Sequence, residues 1–504
     1  MTSKLDDKEL KTDYGKKASS QWAVPAENDL SHYKFRKQST YVVRFLNPTS
    51  NKALHMGHLR NASVGMAIAG SLSVAGARAI RHCVVEDTGR FMMEALAGFN
   101  AMTPEDTPPG LRLKCDHVVG WYYRQYRGLN AKNKSGKRGA ARLDAADELM
   151  RRWLAGDAAT RNLWRQLKTL ALLGQQETLR RLGITLDFCD FESAEDDHTG
   201  DFLREGLLSE TFVAESDGQV SYLGGAGQKR VEMVDRAGLP VENLRLLTFL
   251  NRLYRGWPRR WVNIIVAGNE WRASMSQYPA ILRAFGLSRS DEIYIPVFIG
   301  MVTQGGRKVA SRSGHGVLVD DLLDEVRASR AALDIHQASD MRLPLDEIAS
   351  IVSRCYLLSV PRRQPVELSR KAILDEARNP GWEIARCRAE MMETSARTVV
   401  PPAELTGGLG RVCEEALDSA LRTLSFEQVV LSLRRVSEQW RKRRDDRGGR
   451  AAARAADTLI RCLGLERDST LDVLKLRPLT RYNPNHPYKP QEVPRREANS
   501  PAYL

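Results

Sequence analysis

Along this chain the spacing of apolar positions changes several times. Tyr41-Val42-Val43-Arg44-Phe45 is a short, almost continuous apolar run, and Asn47-Pro48-Thr49-Ser50-Asn51 follows with turn-forming residues. That order predicts a strand running into a turn. A helical pattern then extends from His58 to about Val74, and Arg78 to Val85 predicts another strand. Strand, loop, helix and strand in succession make a βαβ unit. Between 144 and 183, Leu149, Trp153, Leu163, Trp164, Leu167, Leu170 and Leu179 recur at three-to-four spacing, which predicts helix. Strands return at 262–267 and 293–299 with a helix near 273–286 between them. Beyond about 330 the pattern is helical, including 412–424 and 426–440, until RKRRDDRGGR at 441–450 interrupts it. The glycine- and lysine-bearing segment 127–143 has no apolar period and predicts a mobile loop. The first forty residues form a polar extension, the last forty an irregular tail, and no internal repeat is visible.

Composition narrows the possibilities. A chain of 504 residues is too long for one core, so two to four domains are expected. No run of about 18 apolar residues occurs, which excludes a helical membrane span. The beginning, MTSKLDDKELKTDYGKK, lacks the apolar region of a secretory leader. The seven cysteines are scattered without a CxxC pair. No zinc or other metal site and no disulfide framework is therefore expected, and a reducing cytoplasm fits. Lys and Arg number 76 against 62 acids, a net charge of +14. Such an excess suits a polyanionic partner, although arginine-rich codon usage alone would produce it too.

Two short motifs carry candidate chemistry. His55-Met56-Gly57-His58 lies where the first turn enters its helix. Glycine lets a nucleotide approach the backbone, and two imidazoles at a helix N-terminus can donate to phosphate oxygens as charge builds. About 250 residues later comes Lys308-Val309-Ala310-Ser311-Arg312-Ser313-Gly314. Its cations suit the β- and γ-phosphates of ATP during loss of pyrophosphate. Each motif alone is equally a surface turn; their order and distance favour function.

NPTSNKALHMGHLRNASVGMAIAGSL resembles the first signature of class I aminoacyl-tRNA synthetases in its arginyl form. GMVTQGGRKVASRSGHGVLVDDLLDEV is similar to that family's second signature, and LWRQLKTLALLGQQETLRRLGITLDFCDFES to the helix leading to a Glu-Ser pair, here Glu192-Ser193. The resemblance is close over roughly 40–330 and looser to 466. It implies an α/β Rossmann-type class I synthetase core at 41–330, with a connective insertion around 105–230. A stem-like connector at 331–385 and an all-α bundle at 386–466 that meets tRNA would follow, flanked by the extension 1–40 and the tail 467–504. It implies ATP, with Mg2+ as its counter-ion, and an amino acid reacting to an aminoacyl-adenylate. The implied catalytic set is His55, Gly57, His58, Lys308, Ser311 and Arg312, with Gly268 and Glu270 also at the nucleotide. Arg434, Arg435, Arg441, Lys442, Arg443 and Arg444 are the candidate tRNA contacts.

The chain departs from this family where the substrate guanidinium is held. The family places an acid on the strand before the first signature, where this chain has Arg44. Alignment through Leu253-Tyr254-Arg255 sets Leu244 at the family's tyrosine and Thr248 at its second acid. Thr49 stands at the asparagine for the substrate amino group, with Asn47 and Asn51 nearby. Gln277 keeps its place, while Ser274 replaces a histidine. The family's N-terminal domain has no counterpart in this sequence. A buried guanidinium needs carboxylates, so this pocket is expected to reject arginine and to suit a neutral amino acid. The expectation is a paralogue that passes an aminoacyl group, from aminoacyl-tRNA or an adenylate, to a small-molecule amine in specialised metabolism such as antibiotic biosynthesis. The alternatives are a genuine arginyl-tRNA synthetase and a non-catalytic tRNA-binding paralogue.

Overall fold

The computed structural model of the protein describes residues 37–102, 114–132, 137–225, 228–258, 260–289, 293–309, 317–338, 342–391, 408–442 and 447–465. The polar extension up to residue 36, the tail from 466, and Ser311, Arg312, Arg443 and Arg444 lie outside them.

The chain enters the fold through β1 (Thr40–Arg44), turns into α1 (Met56–Val74) and returns as β2 (Arg78–Val85), the βαβ unit that the pattern predicts. Helices α2 (Arg90–Ala101), α3 (Cys115–Lys132), α4 (Lys137–Leu154) and α5 (Ala158–Leu182) follow before the short strand β3 (Phe188–Phe191). The apolar period read over 144–183 is therefore two helices. Gly156, at φ 84°, breaks it, and Asp157 caps the second by accepting from the Thr160 amide at 2.8 Å. The loop expected at 127–143 is helical wherever it is described, as the end of α3 and the start of α4. Helix α6 (Asp196–Leu208) leads to a small antiparallel sheet, β4 (Val213–Ala214), β5 (Val220–Tyr222) and β6 (Val231–Val234). Next come α7 (Glu242–Arg255), β7 (Trp261–Gly268), α8 (Tyr278–Ala284) and β8 (Tyr294–Ile299).

Five parallel strands pair in the order β3-β2-β1-β7-β8. Because β3 belongs to this sheet, the insertion expected around 105–230 is not one block. It is two, a helical one before β3 and the α6 and β4–β6 unit after it. Arg44 ends β1 level with His82 on β2 and Ile265 on β7, at the carboxyl edge of the sheet. In open parallel sheets ligands bind outside that edge.

A second small sheet follows from β9 (Val302–Gln304) and β10 (Arg307–Lys308). Helices α9 (Val319–Arg327), α10 (Arg330–Gln337) and α11 (Leu345–Leu358) come next. Strand β11 (Val366–Glu367) joins β9, and α12 (Gly381–Met391), α13 (Gly408–Thr423), α14 (Glu427–Lys442) and α15 (Arg447–Cys462) complete the helical part. The interruption expected at 441–450 is thus narrower: Arg441 and Lys442 end α14, and α15 is under way by Arg447. Helix α1 is buried on nearly every side, which its small residues permit. A Cβ on Gly70 would stand 2.1 Å from the Arg461 carbonyl of α15, and the Ser71 hydroxyl donates to the Cys462 carbonyl at 3.1 Å. The C-terminal helices therefore pack on the helix that begins at the first motif. No helix among the described residues is long and apolar enough to cross a membrane.

Candidate active site

His55 is the N-cap of α1, and the two histidines cap each other's backbone. His55 Nδ1 accepts from the Gly57 amide at 3.1 Å, and His58 Nδ1 accepts from the His55 amide at 3.3 Å. The rings stack with centroids 3.8 Å apart. A neutral imidazole that accepts at Nδ1 carries its proton on Nε2, so both rings are set as Nε2–H donors. Burial first, then His55 and Lys52, hold the His58 imidazole well below its ordinary range, so it stays neutral. A Cβ on Gly57 would lie 2.9 Å from the His55 ring, which explains glycine there.

Both rings line a cavity of about 550 Å³ outside the carboxyl edge of the sheet. Its wall also includes Arg44, Asn47, Thr49, Lys52, Glu86, Glu192, Glu242, Leu246, Gly268, Glu270, Trp271, Met301 and Val309. The turn that shapes it is strained: Leu46 and Asn47 have φ of 73° and 40°. Asn61 holds this turn, accepting from the Leu46 amide at 2.6 Å and donating to the Val266 carbonyl at 2.9 Å. Asn47 accepts from the Val84 amide at 3.3 Å. The donor set at the helix start, the close approach at Gly57 and the neighbouring Gly268 fit a nucleotide triphosphate. Bound there, ATP would supply an electrophilic α-phosphorus.

Arg44 is fully buried, and none of its three guanidinium nitrogens has a hydrogen-bond acceptor. Its guanidinium lies 4.5 Å from the Phe249 ring centroid. Around it, the Tyr254 hydroxyl accepts from the Asn263 amide at 2.7 Å, and the Tyr294 hydroxyl is unpartnered. Asp190 is hydrogen-bonded to His82 at 2.9 Å.

Leu244 and Thr248, the residues expected to face the substrate, do not reach the cavity. Leu244 is in the core, and the Thr248 hydroxyl donates to the Leu244 carbonyl of its own helix at 2.9 Å. Helix α7 presents Glu242 and Leu246 instead, and Phe249 meets Arg44. These three share a face at i, i+4 and i+7, about 200° around the helix from Leu244 and Thr248. Asn51 borders a small side pocket, where its amide donates to the Phe91 carbonyl at 3.4 Å. Gln277 also misses the main cavity: its amide donates to the carbonyls of Lys229 at 2.6 Å and Ala273 at 2.9 Å. Thr49 is in place, with its hydroxyl buried and unpartnered.

Four acids line the same cavity, Glu86, Glu192, Glu242 and Glu270, and sequence inspection singled out Glu192 and Glu270 but not the other two. Glu86 follows β2, and Glu242 opens α7. Burial, then the charges of Glu242 and Glu192, push the Glu86 carboxyl well above its ordinary range. Burial pushes Glu192 up to about 7, even though Arg245 Nε donates to it at 3.1 Å. Ser193, its neighbour in the quoted pair, binds Asp87 through both amide and hydroxyl. The signal for Glu86 and Glu242 was an acid at a strand end and at a helix start, which is too common to single out from sequence.

The second motif begins on a β-hairpin. Lys308 pairs through its backbone with Thr303, and the turn Gly305-Gly306, at φ 58° and 71°, is held by the Glu367 carboxylate, which accepts from both amides. Val309 lines the cavity, and Leu318 bridges to His55.

In the basic run, Arg434 pairs with Glu438 at 3.2 Å, and Arg441 with Glu383 at 3.2 Å and Glu390 at 3.3 Å. Arg435 and Lys442 are exposed. Elsewhere Asp116, His117 and Asp320 cluster as metal ligands do. The Lys114 ammonium already lies 3.0 Å from Asp116 and 2.8 Å from Asp320, which supplies the cation locally.

The family model described as tRNA synthetases class I (R), catalytic domain, matches residues 23–355. The arginine–tRNA ligase of Bacteroides thetaiotaomicron is 24% identical over 391 residues, 73% of this chain and 65% of that protein. The arginine–tRNA ligase of Treponema denticola is 25% identical over 411 residues, 77% and 65% respectively. The chain thus spans 65% of the length of these two relatives. Among solved structures, Thermus thermophilus arginyl-tRNA synthetase matches with a TM-score of 0.63 at 17% identity, over 88% of this chain and 85% of that one. The Plasmodium falciparum arginyl-tRNA synthetase gives 0.60 at 15% identity, over 86% and 77%. These likenesses are of fold, and they bear out the Rossmann-type core with a helical C-terminal part.

Proposed function

Since the chain belongs to the class I tRNA synthetases of the arginine type, we propose that it activates an amino acid other than arginine with ATP and passes the aminoacyl group to a small-molecule amine. In the first step a substrate carboxylate oxygen attacks the α-phosphorus, the α–β phosphoanhydride bond breaks and pyrophosphate leaves. The Nε2–H groups of His55 and His58 are placed to donate to the phosphoryl oxygens as negative charge grows. The amine nitrogen then attacks the acyl carbon, AMP departs and the amine gives up a proton.

One observation carries the choice of substrate. Buried, unpartnered Arg44 lies at the cavity, with Phe249 rather than an acid against it. Two like charges about 4 Å apart repel by ~4 kcal/mol at an effective dielectric of 20, which opposes an arginine side chain there. A genuine arginyl-tRNA ligase is the second reading, favoured by Glu86, Glu192 and Glu242 in the same cavity.

ATP–pyrophosphate exchange with each amino acid, with and without total tRNA, separates the two. Exchange with an amino acid other than arginine is expected. Robust exchange and tRNA charging with arginine alone would restore the second reading. For the acceptor, labelled aminoacyl product is sought on added amines and on tRNA in parallel; label on tRNA alone would remove the amine.

A further inference from the structure

We infer that the side-chain pocket of this site recognises an acidic α-amino acid, with Arg44 binding the side-chain carboxylate. The inference rests on the proposal that the cavity activates an amino acid, and it names the substrate class.

Arg44 sits at 0% exposure with Nε, Nη1 and Nη2 all lacking an acceptor. A buried guanidinium without a counter-charge is expensive, and proteins rarely leave one so unless a ligand completes it. The groups around Arg44 do not. Phe249 offers a ring face at 4.5 Å, which eases the charge but accepts no N–H bond. The Tyr254 hydroxyl is engaged with Asn263, and Asp190, whose charge attracts Arg44, accepts no bond from it and is hydrogen-bonded to His82. Arg44 is among the residues that line the cavity also holding His55 and His58. A planar fork of N–H donors matches a carboxylate in two parallel bonds.

Another part of the cavity gives the complementary sign. Glu86, Glu192 and Glu242 line it, and none of them accepts from Arg44. Glu242 opens α7, whereas Phe249, seven residues on and about 10 Å along the axis, lies against Arg44. The cavity therefore carries an acidic region suited to the α-ammonium group and a cationic one suited to a second carboxylate. The unpartnered hydroxyl of Thr49 adds a neutral hydrogen-bonding group. Neutral side chains leave Arg44 uncompensated, and the argument for a neutral substrate falls away because Leu244 and Thr248 face elsewhere.

The test uses the full chain in ATP–pyrophosphate exchange with L-aspartate, L-glutamate, L-asparagine, L-glutamine, L-leucine and L-arginine, with and without total tRNA. One acidic amino acid is expected to exceed its amide counterpart at least ~100-fold in kcat/KM, the scale of losing a charge-assisted bidentate pair. Arg44→Gln should abolish that preference, Arg44→Lys should restore part of it, and both should keep the wild-type affinity for ATP, which shows that the fold survives. Exchange with a neutral amino acid and none with the acids overturns the inference while the activation proposal stands. Exchange with arginine alone overturns both. If no amino acid supports exchange, activation fails, and calorimetry decides the inference separately. Binding of L-aspartate or L-glutamate that is lost in Arg44→Gln upholds it; no binding of either overturns it.

Discussion

His55 and His58 hold one another in register: each Nδ1 accepts from a backbone amide of the same helix start, at 3.1 and 3.3 Å, and the rings stack at 3.8 Å. The side chains proposed to donate to phosphate are therefore also the caps. His58→Ala should lower the rate of exchange ~10²–10³-fold, the usual cost of one oxyanion donor. It should also cost about 1 kcal/mol in stability through the lost cap. His58→Asn can still accept the amide and should recover most of the stability and little of the rate. Exchange assays beside urea unfolding check the separation.

The depressed His58 pKa gives a second expectation. The folded state keeps the ring neutral, whereas the unfolded chain protonates near 6.5, so the unfolded state binds more protons as pH falls below that value. Stability should be flat above pH 7 and decline towards pH 5. The decline should be shallower in His58→Asn, as read from unfolding midpoints across that range.

Much of this part of the molecule is legible in the linear chain. A capping pair three residues apart, the strand before it and the period of the helix after it all depend on neighbours within a few positions. The same is true of the strands at 78–85 and 293–299. Segment 127–143 was not legible, because charged helices with short apolar sides resemble loops until other helices pack against them.

Glu367 is a positioning residue for the second motif through the Gly305-Gly306 turn. Glu367→Gln removes the charge from those bonds. The expected result is a KM for ATP raised about fivefold, with the KM for the amino acid unchanged. An equal rise in both would assign Glu367 to general stability.

The raised acids predict how substrate binding depends on pH. Burial favours the protonated forms of Glu86 and Glu192, the latter titrating at about 7. An ammonium group prefers the ionised forms, so its binding should expel protons. Affinity for the amino acid should therefore rise between pH 6 and 8. Calorimetry in buffers of different ionisation enthalpy should register the released protons, and Glu86→Gln should reduce them.

Asp320 anchors α9 to α3 and α5. It accepts from Lys114 at 2.8 Å, His117 at 3.0 Å, Thr178 at 3.1 Å and Arg181 at 3.0 Å. Burial pushes its carboxyl up, but the His117 and Lys114 contacts outweigh this and hold it well below its ordinary range. Its contribution is thus present above the unfolded value near 4 and lost as pH falls below it. Asp320→Asn should cost about 3 kcal/mol at pH 7 by stranding the cations. In urea unfolding that difference should shrink as the pH is lowered towards 4 and below.

By itself, the sequence determined the end of this site proposed for the nucleotide, because His55, Gly57 and His58 are placed by one turn of helix and its cap. It also determined that position 44 is cationic. Only tertiary structure decided what that charge meets. Phe249 lies 205 residues from Arg44 in sequence, and which face of α7 turns to the sheet depends on packing against the core. An offset of two residues moves a helical side chain about 200° around the axis, enough to take Leu244 and Thr248 out of the cavity and bring Glu242 and Leu246 in. The convergence of Glu86, Glu192 and Glu242 has the same origin: each ends or begins a different element, and the parallel sheet brings those ends to one edge.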